Sequence, residues 1–126
     1  MKENIVKLTP DSIDVTSYPD MQELLLVADV LITDYSTIIY DMAIMRKIII
    51  LYAPDLEDYK NNRGLKPIYF NLPSRINQSN DELMEYICRL DLDEYKKRLD
   101  EFLSHVQIFD DGKASQRVVE RIKSVV

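Results

Sequence analysis

A chain of 126 residues, 46% hydrophobic and 30% charged, has the length for one domain and the apolar content for an ordinary core, which excludes a disordered tail. Two Gly and five Pro exclude collagen-like and low-complexity architectures, and no apolar run approaches the ~20 residues of a membrane span. A net charge of -6 excludes a broad electropositive face for nucleic acid, so any anionic ligand has to be held by local geometry.

In chain order, residues 4–8 (NIVKL) predict a first strand, followed by a polar turn through Thr9, Pro10, Asp11 and Ser12. Pro19 and Asp20 open a helix: Asp20 is placed to cap its free amides, Glu23 stands three residues on as in a capping box, and an apolar run over 24–28 follows. Residues 29–33 (DVLIT) predict a buried strand, 36–45 a helix apolar nearly all round, and 48–52 (IIILY) the next strand. A strand, a helix and a strand in close succession predict a right-handed crossover in a parallel sheet, with both strand ends and the helix start on one edge. Residues 53–64 read as a polar loop or short helix, and 67–70 (PIYF) as a further short strand. The rest is helical. Ser79 and Glu82 form another capping box before the stripe Leu83, Tyr86, Ile87 and Leu90. A second stripe carries Tyr95, Leu99, Phe102, Leu103 and Val106, and a last helix from about Lys113 is expected to turn Ala114, Val118, Val119, Ile122 and Val125 inward. No repeat and no long linker divides the chain, so 1–126 reads as one α/β domain.

Three segments can carry chemistry. In Thr33-Asp34-Tyr35-Ser36-Thr37 a strand runs through a short turn into a helix, which places Ser36 and Thr37 where helix amides point outward and the macrodipole is positive. Such a place binds phosphate without a basic side chain; the alternative is that Ser36 caps the helix and Asp34 shapes the turn. Asp110-Asp111-Gly112-Lys113-Ala114-Ser115 stands before the last helix and either caps it or presents Lys113 and amides to a ligand. The acidic segment 52–59, after the second strand of the crossover unit, either meets sugar or glycerol hydroxyls or is solvated. His105, the single histidine, falls in an amphipathic helix and reads as structural, and the single cysteine, Cys88, forms neither an internal disulfide nor a metal cluster. No zinc spacing or Gly-rich phosphate loop is present, so no metal and no cofactor are expected. The start of the chain has no signal-peptide core, which predicts a cytoplasmic protein.

The order Asp20-Met21-Gln22-Glu23-Leu24-Leu25, Ala28-Asp29-Val30-Leu31-Ile32-Thr33-Asp34-Tyr35-Ser36-Thr37, Tyr52-Ala53-Pro54-Asp55-Leu56-Glu57, Arg63-Gly64 and Asp110-Asp111-Gly112-Lys113-Ala114-Ser115 resembles the CDP-glycerol glycerophosphotransferases, the teichoic acid primases and polymerases. The resemblance implies a GT-B fold, of which this chain matches the C-terminal, nucleotide-donor-binding part with its Rossmann-like parallel sheet. It implies that Ser36 and Thr37 contact the donor diphosphate, that Asp34 and Tyr35 form the turn presenting them, and that Asp111, Lys113 and Ser115 face the same cleft. The implied donor is CDP-glycerol or CDP-ribitol, the acceptor a teichoic acid or related cell-wall polymer, and the product CMP. The family's catalytic histidines lie in regions that precede the matching part, so the resemblance implies no catalytic residue here and no turnover by this chain alone. It also implies a full-length enzyme peripheral to the inner face of the membrane. Self-association of the fragment is expected from its open sheet.

Overall fold

The computed structural model describes residues 9–107 and 111–125; the strand expected over 4–8 lies outside the described residues. Three parallel strands, β1 (Val30–Thr33), β2 (Ile48–Tyr52) and β3 (Ile76–Asn77), form a sheet in the order β1-β2-β3. Six helices accompany them: α1 (Met21–Val27), α2 (Ile38–Ile44), α3 (Leu56–Arg63), α4 (Asn80–Cys88), α5 (Leu92–His105) and α6 (Ala114–Lys123).

The expected crossover unit is present. Val30, Leu31, Ile32 and Thr33 of β1 stand in register with Ile48, Ile49, Ile50 and Leu51 of β2, with α2 between them in sequence. The turn from α2 into β2 is tight because Arg46 sits in the left-handed region at φ 57, where a glycine usually stands. Its amide reaches the Ala43 carbonyl at 3.0 Å and that of Lys47 the Met42 carbonyl at 3.0 Å, the two bonds of a Schellman ending. Lys47 then turns its ammonium back onto the end of α1, donating to the carbonyls of Leu25, Leu26 and Ala28 at 2.9, 2.6 and 2.7 Å. One side chain thereby satisfies two last-turn carbonyls and the cap carbonyl of a helix that ends without a basic residue of its own.

The core lies where α2 and α5 meet the sheet. Ile39, Met42 and Ala43 of α2, Ile49 and Leu51 of β2, Leu25 of α1 and Tyr95, Leu99 and Phe102 of α5 form one buried cluster. The α5 stripe is therefore the predicted one. On its β3 side, β2 is completed largely by side chains, since β3 has two residues. The Ile49 amide donates to the Tyr95 hydroxyl at 2.8 Å, the Leu51 amide to Ser74 Oγ at 3.3 Å, and Asn77 Nδ2 to the Leu51 carbonyl at 2.9 Å. Ser74 and Asn77 are the two buried polar residues of the described chain, and this pairing is the reason they are inside.

Several expectations are corrected. Strand β1 is not buried: Val30 and Ile32 are 44% and 50% exposed, because among the described residues β2 is the strand that pairs with it and one of its faces is uncovered. Residues 67–70 are not a strand but the start of a 3-10 helix, Pro67–Asn71, with Pro67 in the first turn, where its missing N–H costs nothing. The real third strand follows it and is too short to show a period. Helix α6 forms as expected, yet the apolar stripe is not inward: Ala114, Val118, Val119 and Ile122 on it and Val125 just past its end are exposed, since no described element covers them. The Asp20 cap holds, accepting from the amides of Gln22 and Glu23, but Glu23 does not close the box and instead accepts from the Tyr18 hydroxyl at 2.6 Å.

Candidate functional site

Residues 34–37 join β1 to α2 at the carboxyl ends of two parallel strands, the edge at which open α/β sheets bind their ligands. Ser36 stands two residues before α2, and its Oγ accepts from the Ile38 amide at 3.4 Å, a long cap. Thr37 occupies the cap position itself in a helical conformation, and its hydroxyl makes no cap bond, which leaves that hydroxyl for another partner. Asp34 turns its carboxylate onto the Tyr35 amide at 2.6 Å and so shapes the turn.

Tyr35 ties this turn to the next loop on the same edge. Its hydroxyl donates to Asp55 at 3.0 Å, and its ring stacks on Tyr59 with centroids 3.6 Å apart and planes at 16°. Tyr69 adds a tilted contact at 5.9 Å, and the Arg63 guanidinium lies 5.9 Å from the Tyr59 ring. Burial, then the bond to Asp55, pushes the Tyr35 phenol well above its usual range; burial also pushes Tyr69 up to about 12. Both rings stay neutral at physiological pH. An open groove of 330 Å³ runs here between Asp34, Asp55, Asp58, Asn62 and Arg63. A second, of 350 Å³, lies across Asp34 toward Ile32, Thr33 and Tyr52.

The second predicted box is built separately. Asp111 accepts from the Lys113 amide at 2.9 Å and from Arg117 at 2.6 and 2.7 Å, and these bonds hold its carboxyl below the usual carboxylate range. Lys113 stands at the cap of α6 and Ser115 in its first turn, both exposed. The structure thus brings Asp34, Tyr35, Ser36 and Thr37 together, and adds Asp55 and Tyr59. Among the described residues no hydrogen bond or ion pair joins them to Asp111, Lys113 or Ser115. The contact of Tyr35 with Tyr59 was missed by sequence reasoning, which marked the 52–59 segment for its acids; the one available signal was the tyrosine content, eight in the chain. His105 is exposed on α5.

Parallel strands, a connecting helix and a hydroxyl-bearing turn at the carboxyl edge define a Rossmann-like α/β fold. The comparisons narrow this class. The sequence pattern of the family described as CDP-Glycerol:Poly(glycerophosphate) glycerophosphotransferase covers residues 2–124, and the chain belongs to that family. It is 38% identical over 110 residues to the teichoic acid ribitol-phosphate polymerase TarK of Staphylococcus aureus, covering 86% of this chain and 21% of the relative. With a teichoic acid poly(glycerol phosphate) polymerase of Staphylococcus epidermidis it shares 34% identity over 117 residues, 88% of this chain and 16% of that protein. The solved wall teichoic acid polymerase TagF superposes with a TM-score of 0.71 at 34% identity, over 89% of this chain and 28% of that one; a second TagF structure comes from a crystal soaked with CDPG. The fold is therefore the expected one, a Rossmann-like α/β unit that matches part of the TagF structure. The chain spans about a fifth of the length of the curated relatives it matches first. No helix among the described residues is long and apolar enough to cross a membrane.

Proposed function

We propose that residues 1–126 are the donor-binding portion of an alditol-phosphate transferase of teichoic acid biosynthesis, taking CDP-glycerol or CDP-ribitol. The observation that carries this reading is the turn over 34–37, which sets Ser36 and the uncapped hydroxyl of Thr37 at the carboxyl edge of β1 and whose Asp34 lines two open grooves. The family to which the chain belongs supports that substrate class.

In the complete transferase a base outside this chain takes the proton from an alditol hydroxyl of the acceptor polymer. The freed oxygen attacks the β-phosphorus of the donor, the bond to the α-phosphate oxygen breaks, and CMP leaves. The role of this chain is electrostatic. Ser36 and Thr37 donate hydrogen bonds to the diphosphate, Asp34 and Tyr35 hold them in place, and Lys113, with Asp111 and Ser115 setting the start of α6, adds positive charge to the leaving phosphate.

Calorimetric titration with CDP-glycerol, CDP-ribitol and CMP tests the reading. Hydrogen bonds to a charged group are worth roughly 1.5 to 3 kcal/mol each, so Ser36→Ala with Thr37→Val is expected to weaken CDP-glycerol binding at least about tenfold. Equal binding by the double variant and the wild type would reduce Ser36 to a helix cap. Incubated with CDP-glycerol and a glycerol-phosphate acceptor, the chain alone is expected to release no CMP, and release that depends on His105 would refute the absence of a base.

A further inference from the structure

Of the four side chains in the 34–37 turn, Asp34 and Ser36 bond to the adjacent amides of Tyr35 and Ile38, and Thr37 makes no cap bond. Among the described residues Tyr35 is the one that reaches another element. What it reaches is α3, a helix whose sequence, LEDYKNNR, has little reason to pack on anything. Leu56 is its one buried residue and Tyr59 its one half-buried residue. Asp55 occupies the cap position of α3, yet its side chain makes no cap bond to that helix and accepts the Tyr35 hydroxyl instead. The Tyr59 ring stacks on Tyr35, and the Arg63 guanidinium lies 5.9 Å from its centroid.

We infer that Tyr59, assisted by Asp55, is a positioning residue of the donor site: by stacking on Tyr35 it holds the turn that carries Ser36 and Thr37 in a single arrangement. The inference rests on the assignment of those two hydroxyls to the donor diphosphate. An unclamped four-residue turn samples several conformations, and a ligand meeting it binds only the competent fraction. A ring stacked at 3.6 Å and a second anchor through the phenol at 3.0 Å remove that loss before the donor arrives. The same contact joins the segment after β1 to the segment after β2, so the two loops of the carboxyl edge move as one unit.

The test uses the chain with Tyr59→Leu, Tyr59→Phe and Asp55→Ala, read by amide hydrogen exchange and by calorimetric titration with CDP-glycerol. Tyr59→Leu is expected to speed exchange at residues 35–38 while leaving α5 unchanged, and to weaken CDP-glycerol binding about fivefold. Tyr59→Phe keeps the stack and is expected to restore both, a rescue that loss of general stability does not produce. Asp55→Ala, at an exposed position, is expected to shift both readouts in the same direction by about twofold. Wild-type exchange at 35–38 in Tyr59→Leu, or failure of Tyr59→Phe to rescue, overturns the inference. Altered exchange with no CDP-glycerol binding by the wild type refutes the donor assignment, and with it the part of the inference that concerns the donor.

Discussion

The Tyr95 phenol is bonded to the backbone amide of Ile49 at 2.8 Å, so the middle strand of the sheet is held on one side by a side chain from α5. The same hydroxyl donates to the Lys47 carbonyl at 3.2 Å. Tyr95→Phe keeps the ring in the core but strands a buried amide, a loss of about 1 to 3 kcal/mol. Urea unfolding is expected to show a lower midpoint at an unchanged slope. An unshifted midpoint would mean that the Ile49 amide finds another acceptor.

Alkaline pH should act through the same residue. Burial pushes Tyr95 up to about 12, and Tyr69 likewise, while Tyr35 is also raised. An unfolded tyrosine titrates near 10, so the folded state keeps protons that the unfolded chain releases. Their contribution is fully present below about pH 10 and is lost as pH rises through about 12. Denaturation curves taken from pH 9 upward should show the decline, and Tyr95→Phe should flatten it. Stability independent of pH across that window would contradict the burial of these phenols.

The ammonium of Lys47 is the cap of a helix distant in sequence. With three carbonyls at 2.6 to 2.9 Å, Lys47→Met should cost roughly 1 to 3 kcal/mol and fray α1 before it disturbs α5. Hydrogen exchange at the end of α1 is the measurement. Uniform acceleration across α1 and α5 would assign Lys47 a global rather than a local role.

Self-association is expected at high concentration, because Val30 and Ile32 on β1, Val118, Val119 and Ile122 on α6 and Val125 just past it are exposed apolar surface. Light scattering should show mass rising with concentration, and Val118→Glu with Ile122→Lys should reduce it. A monomer at all concentrations would show that these surfaces do not find each other.

The crossover unit was legible because hydrophobic period and β-branched content agree over 29–52, and β2 has the predicted bounds. The α5 stripe was legible for the same reason: a long helix gives its period several turns in which to repeat. Burial was less so. Val118 and Ile122 have the spacing of a core face, and spacing records which side of a helix is apolar without recording whether a neighbour is there. Strand β3 escaped because a two-residue strand has no period, and its side of β2 is completed by the side chains of Ser74 and Asn77. In the site, the turn and Ser36 before α2 followed from a strand running into a helix. The Tyr35 stack did not, since a contact between residues 24 apart in sequence is set by where α3 returns to the sheet.

Ordinary strand pairing is indifferent to sequence, because every residue brings the same amide and carbonyl to the ladder. On the β3 side of β2 that indifference is suspended. Tyr95, Ser74 and Asn77 contribute by identity what a longer strand contributes by backbone, and they come from a helix, a loop and the short strand itself. Substitutions there act as breaks in a hydrogen-bonded ladder even though none of the three lies in β2. The opposite flank, joined to β1 through main chain alone, admits any residue that fits the face. A single strand thus has one side that tolerates drift and one that does not, and related chains are expected to vary accordingly.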